Sequence, residues 1–118
     1  MKIEVTNNIK VAIVSDPDLL ISEVQDAVDL LGEASFEGCN RIIVNETNLH
    51  PDFFRLHTGL AGEVLQKFSN YQCKLAIVGD FSKYTSKSLQ DFIRESNRGN
   101  SLFFVDSLDT AIMKLTTM

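Results

Sequence analysis

Leu75-Ala76-Ile77-Val78-Gly79-Asp80 sets four apolar residues in unbroken succession and closes them with a glycine and an acid. A strand with one wet face alternates apolar and polar side chains. A short unbroken run instead marks a strand buried on both faces, as in parallel sheets. Working outward, the pattern recurs in Val11-Ala12-Ile13-Val14, Ile42-Ile43-Val44 and Leu102-Phe103-Phe104-Val105. Each run is followed by a polar break and then by a stretch with helical periodicity. A weaker strand over Lys2–Val5 precedes the first run. Asn7-Asn8 between them suits left-handed turn geometry, so the pair reads as a β-hairpin.

The helical stretches have recognisable ends. Ser22-Glu23-Val24-Gln25 has the form of a capping box, with Val24, Ala27, Val28 and Leu31 on one face behind it and Gly32 as a stop. A second helix is expected from about Thr58-Gly59, turning Leu60, Val64, Leu65 and Phe68 inward. The third starts near Ser86, buries Leu89, Phe92 and Ile93, and stops between Asn97 and Gly99. The last starts near Ser107 and uses Leu108, Ala111, Ile112 and Leu115. The expectation is one α/β domain over residues 1–118. Its sheet is mostly parallel, of about five strands, in the order β-β-α-β-α-β-α-β-α.

Composition narrows the partners. The 118 residues carry 11 basic and 16 acidic side chains, a net charge of −5, which argues against nucleic acid or an anionic membrane as partner. No apolar run approaches the roughly 20 residues of a membrane span. Met1–Val5 opens without a signal-peptide core, so a cytoplasmic location is expected. Residues 1–65 hold four basic and eleven acidic groups, whereas 66–118 hold seven and five. Cys39 and Cys73 lack metal-site spacing and read as buried reduced thiols. No metal and no cofactor is expected.

Ligands of an open α/β sheet gather beyond the carboxyl ends of its strands. That rim should hold Ser15 and Asp16, Asn45 and Glu46, Gly79 and Asp80, and Asp106 and Ser107; capping of turns and helices is the other reading of these residues. The least ordinary stretch is Pro51–Gly62, with the adjacent rings of Phe53 and Phe54 beside Arg55, and with His50 and His57 seven residues apart. Thr58-Gly59-Leu60 at a helix start would suit an anion, including a phosphate carried on Thr58; simple capping is the alternative. No GxSxG elbow, Walker loop, GxGxxG or HExxH occurs.

Arg41–Asp80 is similar to the central part of STAS domains, named for sulfate transporters and anti-sigma-factor antagonists. The likeness rests on the strand Ile42-Ile43-Val44, the helix start Thr58-Gly59-Leu60-Ala61-Gly62 and Leu65-Gln66-Lys67-Phe68. Over most of its length the chain more closely resembles a bacterial family catalogued as a domain of unknown function. Asp52-Phe53-Phe54, Leu60-Ala61-Gly62-Glu63, Gln66–Tyr71, Ala76–Phe81 and Phe92–Asn97 carry that resemblance. The STAS likeness implies a β-α superhelix with helices on one side and a partner switch worked by phosphorylation at the helix start. Only Thr58, Gly59 and Leu60 match that motif, and Arg55-Leu56-His57 stand where an acidic residue is usual. A sheet covered on one side would leave an apolar face for the hairpin or a second subunit to cover, so a homodimer is expected.

Two functions follow as expectations. The first is a non-catalytic regulatory or protein-interaction module, with a regulatory protein as partner and Phe53–Gly62 as the contact. The alternative is a small-ligand-binding domain or modest enzyme at the rim, using Asn45, His57, Asp80, Phe81 and Tyr84.

Overall fold

The computed structural model describes residues 1–117. Among them the chain forms β1 (Lys2–Thr6), β2 (Ile9–Ile13), α1 (Val24–Phe36), β3 (Arg41–Asn45), α2 (Leu60–Asn70), β4 (Lys74–Val78), α3 (Lys87–Arg98), β5 (Leu102–Val105) and α4 (Leu108–Thr116). The five strands make one sheet in the order β1-β2-β3-β4-β5. The β1–β2 pair is antiparallel and every other pair is parallel. Asn7 and Asn8, at φ 54° and 65°, turn the hairpin as a two-residue loop between Thr6 and Ile9.

Several helix ends differ from expectation for local reasons. The first turn of α1 is held by Asp26 rather than Gln25: its carboxylate accepts the N–H groups of Ser22 and Glu23 at 2.9 and 3.2 Å. Gly32 does not stop α1, which runs on to Phe36; the left-handed Gly38, at φ 75°, turns the chain away. Ser86 and Ser107 cap α3 and α4 as expected, each hydroxyl accepting the N–H three residues on. Leu108 lies at the exposed edge of α4 instead of facing inward.

Because the strand order never reverses, crossovers of one hand deliver their helices to one face. Ala12, Val14, Ile42, Val44, Leu75, Ile77, Leu102 and Phe104 point to that face and pack under α1, α2 and α3. The intervening residues Val11, Ile13, Ile43, Ala76, Phe103 and Val105 point to the other, where Ala111 and Leu115 of α4 cover them. This corrects the expectation that a hairpin or second subunit must cover the second face: the C-terminal helix does so within one chain. Two side chains fasten its end, with Arg41 Nε donating to the Leu115 carbonyl at 2.6 Å and Asn7 Nδ2 to that of Thr116 at 3.4 Å. Among the described residues no helix is long and apolar enough to cross a membrane.

Candidate functional site

The β3–α2 connection is built from three 3-10 turns, Glu46–Asn48, Pro51–Phe54 and Leu56–Thr58. Fully buried Asn48 is its hub. Its Oδ1 accepts the Asn45 N–H at 2.7 Å, and its Nδ2 donates to the Asp16 and Asp18 carbonyls at 2.6 and 2.7 Å. Asn45 Nδ2 donates to the Val14 carbonyl at 3.2 Å. Asn45 is thereby committed to stitching the β2 and β3 ends together, a structural use of what the sequence offered as a pocket residue.

Phe53 and Phe54 are not a contact surface. Both rings are buried, edge to face with centroids 5.2 Å apart, and Phe54 stacks on Tyr84 at 5.0 Å. Burying two adjacent rings withdraws a large apolar area from water and pins the connection to the core. Arg55, His57 and Thr58, on the chain between this anchor and α2, stay exposed. Arg55 pairs with Asp52 at 3.0 Å. The Thr58 hydroxyl donates toward the Asp52 and Arg55 carbonyls at 2.7 and 2.8 Å and accepts the Leu60 N–H at 3.3 Å. Gly59, left-handed at φ 83°, occupies the N-cap position of α2, so Thr58 lies one residue outside the cap, and Leu60 is turned into the core. His50 Nδ1 accepts the Asp52 N–H at 3.0 Å. Among the described residues no group of three or more His, Cys, Asp or Glu is placed to hold a metal ion.

The β4–α3 loop closes against this connection. Glu46, whose side chain is only 13% exposed, is 2.7 Å from Lys83 Nζ and accepts the Tyr84 hydroxyl on the same oxygen. Burial, then the neighbouring Glu46 carboxylate, pushes the Tyr84 phenol well above its ordinary value. Gly79 leaves the space this needs: a Cβ there would come within 2.6 Å of Glu46. Asp80, by contrast, turns back on its own loop, accepting from the Ser82 N–H and hydroxyl at 3.0 and 2.6 Å, and those bonds hold its carboxyl below the usual range. Phe81 sits between Tyr84 and Phe104, its ring centroid 6.4 and 5.2 Å from theirs.

The structure thus joins Phe54, Phe81 and Tyr84 in one aromatic cluster, and leaves Arg55, His57 and Thr58 outside it. Glu46 was legible as a rim residue but not as the group that ties two loops together, and Lys83 carried no signal of its own. A crevice of about 700 Å³ opens where the connections diverge, α3 leaving β4 for one face and α4 leaving β5 for the other. Asp80, Asp106, Thr110 and Lys114 line it above Phe104 and Val105.

Both cysteines are buried and unpaired. Burial pushes the Cys73 thiol up to about 12 and raises that of Cys39 as well. Neither is poised as a thiolate nucleophile.

Residues 6–115 match a family described as a domain of unknown function, DUF4180. No curated protein and no solved structure matches the chain.

Proposed function

We propose that this chain, which belongs to the DUF4180 family, works as a non-catalytic regulatory module that binds a protein partner through the exposed end of its β3–α2 connection. One observation carries this reading. Asn48, Phe53 and Phe54 anchor the connection in the core, while Arg55, His57 and Thr58 stand exposed together just ahead of α2. A fixed polar knuckle on a rigid base presents a recognition surface with little ordering cost on binding. The sequential strand order and the three crossover helices on one face support a STAS-like reading of the fold.

In this reading Thr58 is the switch. Phosphorylation transfers a phosphoryl group from a nucleoside triphosphate to the hydroxyl oxygen and releases its proton. The donated hydrogen bonds to the Asp52 and Arg55 carbonyls are lost, and a dianion arrives beside Arg55 and the first turn of α2. Thr58→Glu and Thr58→Val test it, each compared with the parent for partner capture from host extract and for thermal unfolding. The glutamate variant is expected to change what is captured while the melting temperature holds within a few degrees. Identical capture by all three, with no phosphate on Thr58 in protein purified from its host, would overturn the switch.

The crevice between the β4 and β5 ends supports a second reading, a small-ligand site. Amide shifts confined to Asp80–Ser82 and Asp106–Thr110 on addition of a small anion or amine library would favour it over the knuckle.

A further inference from the structure

The two edges of the sheet are finished differently. At the β5 edge Asn97 acts as a one-residue strand: its Oδ1 accepts the Phe104 N–H at 2.7 Å and its Nδ2 donates to the Phe104 carbonyl at 3.2 Å. Among the described residues the β1 edge has no such cover. Thr6 and Ile9 close a two-residue turn and form a hydrogen-bonded pair, so Glu4 and Lys2 also bond inward to β2. Ile3 and Val5 therefore direct their N–H and C=O groups outward. Beside this edge Val5 is 62% exposed and Phe36, at the end of α1, is 90% exposed.

Gly32 adds an independent sign. It sits inside α1, where glycine costs about 1 kcal/mol relative to alanine, yet a Cβ there would meet nothing within 4 Å. Packing within the chain gives no reason for it. It opens a shelf of about 560 Å³ lined by Met1, Ile3, Glu33, Phe36 and Glu37, next to β1.

We propose that β1 pairs antiparallel with β1 of a second copy, in a register centred on Ile3, to make one continuous sheet across a two-fold axis. The charge order selects the register. Centred on Ile3, Lys2 faces Glu4 of the other copy and Glu4 faces its Lys2, while Ile3 meets Ile3 and Val5 meets Met1 on the α1 side. A register centred on Glu4 would also bring outward groups opposite one another, but it would set two carboxylates side by side and leave Lys2 without an acidic partner across the axis. The shelf at Gly32 gives the apolar residues of the incoming strand room beneath Phe36. This dimer uses the sheet edge and leaves the α4-covered face, and the knuckle at Arg55–Thr58, free.

Sedimentation equilibrium on the whole chain tests it, with Lys2→Glu, Glu4→Lys and the double exchange alongside. The parent is expected to be a dimer. Each single reversal should weaken self-association about tenfold, because two symmetric pairs turn repulsive, and the double exchange should restore it. Circular dichroism melting of each variant at high dilution separates this from any loss of the Lys2–Glu4 pair within the strand, 3.2 Å apart. A parent that stays monomeric at millimolar concentration would overturn the proposal. So would a dimer indifferent to the single reversals, or one that the double exchange fails to restore.

Discussion

The two faces of the sheet are closed by different means. One lies under α1, α2 and α3, helices that the crossovers between parallel strands must place there, so its cover is dictated by connectivity. The other, among the described residues, is closed by the nine residues of α4, held by burial of Ala111 and Leu115 and by the grip of Arg41 and Asn7 on its last carbonyls. The first cover cannot leave without breaking the sheet order. The second is attached by one end and by side chains. The comparison places the weak point of the fold at its C-terminal helix, opposite the face that carries the candidate site.

The largest effect expected is from removing α4. A chain ending at Asp106 exposes Val11, Ile13, Ile43, Ala76, Phe103 and Val105 together, and should lose its cooperative melting transition and bind a hydrophobic dye. A chain that still melts cooperatively would show that the three-helix face folds alone and α4 is an accessory. Next come the two anchors. Phe53→Ala should cost about 3–5 kcal/mol and Leu115→Ala about 2–5 kcal/mol in denaturant unfolding. Hydrogen exchange should then open α4 alone in the leucine variant, but the whole chain in the phenylalanine variant.

Gly79→Ala sharpens the description of the first face. The added methyl must push Glu46 from Lys83 and Tyr84, a cost of about 1–3 kcal/mol with β4–α3 loop amides losing protection. Arg41→Met removes the charged donor to the Leu115 carbonyl and should cost about 1–3 kcal/mol, with faster exchange confined to the last turn of α4.

A further effect appears only at alkaline pH. Cys73 keeps its proton in the folded chain up to about 12, whereas the ordinary thiol releases it near 9.0. Between those values the native state binds more protons than the unfolded state, so its contribution is whole below about pH 9 and is lost as pH rises toward 12. Cys73→Ala should flatten that part of the stability profile, measured by denaturant unfolding from pH 8 upward.

Much of the fold was legible because it rests on local patterns. The unbroken run Leu102–Val105 is β5 residue for residue, Asn7-Asn8 is the turn, and Ser86 and Ser107 are the caps. The site was less so. Asn45 was visible as a rim residue, and Phe53 and Phe54 as unusual residues in a connection, but their roles depend on partners distant in sequence: Val14, Tyr84 and the core beneath. Glu46 and Tyr84 are 38 positions apart, and no spacing rule joins them.

By itself the sequence determined the α/β class, the number of strands, the parallel run and the places where helices begin, because hydrophobic period, capping hydroxyls and turn residues act over a few neighbours. Only the tertiary structure decided which face α4 would cover, whether Phe53 and Phe54 lie in or out, and which sheet edge stays open. Each of those outcomes is a competition for apolar burial and hydrogen-bond partners among segments tens of residues apart. That competition is settled by the assembled sheet and leaves no periodic trace along the chain.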